Sequence, residues 1–112
     1  MNMIIYVDID ETICEHPNTD PSVARDYERA IPIFENINKI NNLFDSGDTI
    51  IYWTARGANS GLNWGETTKN QLQKWGAKHT ELKMGKPHYD LFICDKAINT
   101  ERYFQEKNDE VR

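Results

Sequence analysis

Five consecutive apolar residues, Met3-Ile4-Ile5-Tyr6-Val7, run directly into Asp8-Ile9-Asp10-Glu11-Thr12. This junction limits the fold more than any other feature of the chain. An unbroken apolar run suits a strand covered on both faces, the habit of parallel sheets, and ligands of open α/β sheets gather beyond the carboxyl ends of such strands. Asp8 is therefore expected at the mouth of a site. With Ile9 between them, Asp8 and Asp10 can serve one centre in different roles, one attacking phosphorus and the other exchanging a proton with a leaving oxygen. A strand that merely ends in an acidic loop is the plainer reading of the same residues.

Two further apolar runs repeat the pattern. Thr49-Ile50-Ile51-Tyr52-Trp53, rich in β-branched and aromatic residues, reads as a second strand ending at Thr54-Ala55-Arg56-Gly57. Leu91-Phe92-Ile93-Cys94 reads as a last strand opening on Asp95-Lys96. Between the first two, Ile33, Ile37, Ile40 and Phe44 recur at helical spacing with polar residues interleaved; Pro32 suits the first turn and Asp45-Ser46-Gly47-Asp48 the stop. The glycine-rich loop Gly57–Gly65 leads into a second helix carrying Leu72 and Trp75, with Gly76 as terminator. The stretch from Glu11 to Pro21 reads as a loop or small flap, His79 to Leu82 as a short edge strand, and Thr100 as the cap of a final helix through Tyr103 and Phe104.

Alternating strands and helices argue for one α/β domain over residues 1–104, with a parallel sheet and right-handed crossovers, followed by a polar, frayed tail at 105–112. Three strand ends then face one way. They carry Asp8 and Asp10, Thr54 and Arg56, and Asp95, with Lys86 in the loop before the last strand.

The 112 residues suffice for one core. A formal charge of −5 disfavours a broad electrostatic footprint for nucleic acid or an anionic membrane and fits a small soluble ligand better. No apolar run approaches the ~18 residues of a membrane span, and the opening run is too short for a signal peptide, so a cytoplasmic location is the expectation. Cys14 and Cys94 have neither the number nor the spacing of a disulfide framework or zinc site. Both are expected as reduced thiols. His16, His79 and His88 show no ligand spacing and read as structural or solvated.

In four motifs, taken in order from Met3 to about Phe104, the chain resembles the haloacid dehalogenase (HAD) superfamily of phosphatases. The motifs are Asp8-Ile9-Asp10-Glu11-Thr12, Thr54, the lysine of Gly85-Lys86-Pro87, and Asp95. Trp53-Thr54-Ala55-Arg56-Gly57, Gly85-Lys86-Pro87-His88-Tyr89-Asp90 and Asp95-Lys96-Ala97-Ile98 look closest to small members associated with capsular polysaccharide biosynthesis. The resemblance implies a three-layer Rossmann-like (HAD-like) parallel sheet with minimal or no cap. It also implies a magnesium-dependent phosphomonoesterase working through an aspartyl-phosphate. Asp8 would be the nucleophile and Asp10 the general acid and base. Thr54 and Lys86, with Arg56, would hold phosphoryl or substrate oxygens, and Thr12 would brace the loop. Magnesium (Mg2+) would be held by the Asp8 carboxylate, the Asp10 main-chain carbonyl and the Asp95 carboxylate, hard oxygen ligands of the kind it prefers.

Each assignment has a plainer counterpart. Thr54 can be a turn cap, Arg56 the partner of an acid, Trp64 a packed loop aromatic, and Lys83 competes with Lys86 for the same role. The chain departs from many relatives in carrying Cys94-Asp95 where they have two adjacent acids, and sulfur is a poor magnesium ligand. Two other classes compete. One is a receiver-like module that accepts phosphate on an aspartate, against which stands the placement of nucleophile and acid on one strand. The other is a degenerate HAD domain that binds a phosphorylated ligand without turnover. Only a short flap separates Thr12 from the helix near Pro32, so the site is expected to be open unless a neighbouring subunit of a homo-oligomer supplies a lid. An open site suits a bulky substrate such as a protein or polynucleotide end; the acidic composition disfavours nucleic acid and shifts the preference to a small phosphorylated metabolite, with sugar phosphates ahead of nucleotides.

Overall fold

The computed structural model describes residues 2–17, 25–58 and 60–105. The opening apolar run forms strand β1 (Ile4–Val7), and Thr49–Trp53 forms a parallel neighbour in register Ile4↔Thr49 to Val7↔Tyr52. A two-residue strand, β2 (Cys14–Glu15), pairs antiparallel with β3 (Ile31–Pro32), and this small ladder is the flap read from the sequence. In chain order Thr49–Trp53 is therefore β4. The flap residues between Asn18 and Ala24 lie outside the described residues.

Helix α1 spans Phe34–Asp45 and buries Ile37, Ile40 and Leu43. Pro32 sits in β3 rather than in the first helical turn, because its strand partner Cys14 holds it extended and Ile33 makes the turn into the helix. Helix α2 (Gly65–Lys74) buries Thr68 and Leu72 and stops before Gly76, whose φ of 71° is the left-handed value that glycine tolerates. Strand β5 (Glu81–Lys83) joins β4 in parallel, giving the order β1-β4-β5. Helix α3 (Thr100–Gln105) closes the described chain, with Tyr103 and Phe104 packed against the core. The expected frayed tail, Gln105 apart, lies outside the described residues.

Register fixes which side of the sheet is covered, because cross-strand partners share a face. Ile5, Ile50, Val7, Tyr52 and Leu82 belong to one core cluster with Ile37, Ile40, Leu43, Leu72 and Trp75, so both long helices lie on that side. The other side carries Ile4, Tyr6, Ile51, Trp53, Glu81 and Lys83, of which Ile4 is 72% exposed. On this second face the central Ile51 is nevertheless buried. One expectation fails. Leu91-Phe92-Ile93-Cys94 forms no strand; Leu91 and Ile93 are 75% and 86% exposed, and the sheet stops at β1.

Candidate functional site

The chain leaves β1 through a tight turn. The N–H groups of Thr12 and Ile13 both donate to the Ile9 carbonyl, at 3.1 and 2.9 Å, and Glu11 N–H donates to the Cys14 carbonyl at 2.9 Å. Glu11 takes a φ of 65° to make this turn, a left-handed value unusual for a side chain with a Cβ. The turn buries Ile9, Ile13 and Cys14 completely. Thr12 braces it from both sides: its carbonyl accepts from Asn36 Nδ2 at 2.8 Å and its hydroxyl meets that of Thr100 at 2.7 Å.

Alternation along the chain sends the two acids into different surroundings. Asp8 keeps 43% of its side chain exposed, and Lys86 Nζ stands 3.4 Å from its Oδ2. Asp8, Ala55, Lys86, Pro87, His88 and Tyr89 line a cleft of about 260 Å³. Lys86 reaches it because its own N–H donates to the Thr54 carbonyl (3.0 Å) while Thr54 N–H donates to that of Lys83 (3.0 Å), strapping the loop after β5 to the end of β4. Lys83 lies elsewhere, its Nζ 5.7 Å from the Tyr6 ring on the uncovered side of the sheet. Of the two lysines, Lys86 is the one beside Asp8.

Asp10 instead faces the interior. Arg56 donates to it from two nitrogens, Nε to Oδ2 at 3.0 Å and Nη2 to Oδ1 at 2.9 Å, and His16 Nε2 lies 2.8 Å from Oδ1. Burial alone would raise the Asp10 pKa. The Arg56 hydrogen bonds and charge, and then those of His16, outweigh it and hold the carboxyl below the usual range. Arg56 is fully engaged: Nη1 donates to Thr68 Oγ1 (3.0 Å) and Gln71 Oε1 (2.6 Å), and the guanidinium lies 4.7 Å from the Tyr27 ring centre. A buried guanidinium so occupied positions Asp10 and does not face the cleft. This corrects its expected place among the substrate-binding groups. Thr54, also buried, accepts the Arg56 N–H on its hydroxyl at 3.1 Å, the turn-cap arrangement.

Asp95 is not brought to the other acids. It is exposed, its side-chain contacts are to its neighbours Cys94 and Lys96, and it does not line the cleft. The strand expected to carry it to the sheet end does not form. The magnesium ligands implied by the resemblance are therefore not assembled within one chain.

Another donor group is present that sequence spacing did not reveal. Asp10, Cys14 and His16 each offer one ligand atom, all within 4.8 Å of one another, close enough to hold a metal ion. Only the fold-back of the turn brings them together, so no simple spacing marks them. The chemistry of the set is unfavourable to a cation as it stands. Arg56 already occupies Asp10, and burial, followed by the charge of Asp10, pushes the Cys14 thiol up to about 12.

No family model and no curated protein matches the chain. A crystal structure of an MCSG target from Vibrio cholerae is similar, with a TM-score of 0.76 and 20% identity over 96% of this chain and 90% of that one. A chain in a Pnkp1/Rnl/Hen1 complex superposes with a TM-score of 0.61 and 16% identity over 98% of this chain, which spans only 36% of its length. At such identities the likeness bears on fold alone, and that fold is a Rossmann-like α/β arrangement on a parallel three-stranded sheet.

Proposed function

We propose that the Asp8 cleft is a phosphoryl-transfer site and that the chain is a HAD-type phosphomonoesterase acting on a small phosphorylated metabolite. One observation carries the reading: a partly exposed carboxylate at the end of a parallel strand, met at 3.4 Å by the one lysine that the neighbouring loop strap directs into the cleft. A phosphate monoester dianion repels a carboxylate nucleophile, and an ammonium group at that spot offsets the repulsion. In the first step an Asp8 oxygen bonds to phosphorus, the bond from phosphorus to the ester oxygen breaks, and that oxygen takes up a proton from solvent water. In the second, water attacks phosphorus, the Asp8 carboxylate leaves, and inorganic phosphate is released.

Asp10, held inward on Arg56 and His16 and outside the cleft lining, does not reach the attacking water, which gives its proton to solvent. The acidic composition favours a compact ester such as a sugar phosphate over a polynucleotide.

A second reading draws support from the burial of Asp10. If its carboxylate stays on Arg56, Asp8 accepts phosphate and holds it, as in a receiver-like module.

Phosphate release from a panel of sugar phosphates and nucleotides, with and without magnesium, separates the readings. Turnover by the wild type that is abolished in Asp8→Asn supports the phosphatase. Stable labelling of Asp8 without turnover supports the acceptor, and release unaffected by Asp8→Asn overturns both.

A further inference from the structure

Beyond the strapped Lys86, the chain contributes Pro87, His88 and Tyr89 to the lining of the Asp8 cleft. Tyr89 is 43% exposed, and Phe92 meets its ring in an edge contact with centroids 5.5 Å apart, so the ring is held without being covered. Lys86 Nζ lies 5.6 Å from the centre of that ring and 3.4 Å from Asp8 Oδ2. These two legs keep the ring centre within about 9 Å of the carboxylate oxygen that attacks phosphorus in the proposed reaction.

A phosphoryl group seated between Asp8 and Lys86 fills the near part of that span. The ester oxygen and the first ring of the leaving group fill the rest, which brings that ring against Tyr89. The lining then limits what the leaving group is. Asp8 and Lys86 are engaged by the phosphoryl group, and among the described residues the lining holds no further carboxylate, ammonium or guanidinium. A second charge on the leaving group would find no partner of opposite sign there. The remaining side chains suit a neutral, hydroxylated ring. Tyr89, Pro87 and Ala55 offer apolar surface to its C–H face, while the Tyr89 hydroxyl and a neutral His88 imidazole can each donate and accept a hydrogen bond, as sugar hydroxyls do.

We propose that Tyr89 is the specificity-determining residue of the Asp8 cleft, its ring a platform for the sugar ring of a monophosphate whose phosphoryl group sits between Asp8 and Lys86. The substrate class is a phosphate ester of a neutral cyclic sugar, with the phosphate on the ring or one carbon from it. The catalytic part of this assignment rests on the proposed phosphoryl-transfer reading; the platform as a binding surface does not. Stacking that is equal in the bound substrate and in the transition state lowers KM and leaves kcat alone. An acyclic ester presents no ring face and gains little from it.

Calorimetric binding to Asp8→Asn, which blocks turnover by the proposed route, tests the platform apart from the reaction. The probes are inorganic phosphate, glycerol 3-phosphate, adenosine monophosphate, and the glucose and mannose 1-phosphates. The better bound of the two sugar phosphates should bind more tightly than inorganic phosphate. Adding Tyr89→Ala should weaken it about three- to tenfold and leave inorganic phosphate unchanged, whereas Tyr89→Phe should keep most of the gain. With Asp8 intact, Tyr89→Ala should raise KM for the sugar phosphate by a similar factor at unchanged kcat, with little change for glycerol 3-phosphate. Equal affinities for sugar phosphate and phosphate, an equal loss of both in Tyr89→Ala, or a loss in Tyr89→Phe as large as in Tyr89→Ala would overturn the platform. A larger Tyr89→Ala effect on adenosine monophosphate than on the sugar phosphates would overturn the assignment to sugars. Binding that depends on Tyr89, with no phosphate release from any ester, would uphold the platform and remove the phosphatase reading. Asp8-dependent release from glycerol 3-phosphate, with sugar phosphates indifferent to Tyr89, would do the reverse.

Discussion

Arg56 grips Asp10 with two nitrogens, Nε on Oδ2 at 3.0 Å and Nη2 on Oδ1 at 2.9 Å, and this pair ties the turn after β1 to the turn after β4. Arg56 is buried and Asp10 only slightly exposed, and Thr68, Gln71, His16 and Tyr27 surround the pair. Removing one partner leaves a charge without compensation. Arg56→Met should therefore destabilise the fold by about 3–5 kcal/mol, and Arg56→Lys should recover only part of the loss because an ammonium cannot reproduce the fork. Urea denaturation of the three proteins measures both. A loss under about 1 kcal/mol in Arg56→Met would mean that the pair adds little.

The same pair sets an acid limit. The folded pKa of Asp10 lies below its ordinary 3.8, so its contribution is complete above that value and disappears as pH falls through the lower folded one. Thermal melts from neutral pH down into the acid range should show a loss at the acid end that is absent from Asp10→Asn, which starts less stable. Parallel pH profiles in the two proteins would assign acid unfolding to other carboxylates.

The two cysteines should differ sharply in reactivity. Cys14 is buried and its pKa is pushed up to about 12, whereas Cys94 is exposed. Near neutral pH a thiol reagent should modify Cys94 and reach Cys14 only on unfolding. Fast modification of both would contradict the burial of the turn.

Tyr52 is enclosed in the core with its hydroxyl lacking a hydrogen-bond partner in the described structure. An unsatisfied buried hydroxyl costs about 1–3 kcal/mol, so Tyr52→Phe should be neutral or stabilising by up to roughly 1 kcal/mol. A clear destabilisation would reveal a partner for that oxygen.

Glu11 offers a backbone test. At a φ of 65° glycine avoids a penalty of about 1–2 kcal/mol that other residues carry, and the ion pair of Glu11 with Arg25 is exposed and of small consequence. Glu11→Gly should raise the melting temperature slightly even though it frees the unfolded chain. A fall would assign the Arg25 contact more weight than an exposed pair ordinarily has.

Where a segment's own periodicity decides its state, the sequence was a good guide. The run before Asp8 is a strand, Ile37 and Ile40 face inward from a helix, and Gly76 ends the next one. It misled where tertiary partners decide. Leu91–Cys94 is as apolar as β1, yet a strand also needs a paired neighbour, and in the structure the segment is unpaired and exposed. Arg56 carries the same ambiguity. Its residue type fits an anion or an acid equally, and only the fold-back of the turn presents Asp10 to it. His16 and Cys14 escaped notice for the same reason, since their closeness to Asp10 is made by a left-handed residue at position 11.

The central claim is that Asp8 accepts a phosphoryl group, and the most direct measurement is the intact mass of acid-quenched reactions with a small phosphoric ester, with peptide analysis of a borohydride-treated portion in which hydride displaces the phosphate and leaves homoserine to mark the modified position. One phosphoryl group per chain, mapped to Asp8 and absent from Asp8→Asn, is the predicted result. Phosphate turnover with no acyl-phosphate, or label on any other residue, would contradict it.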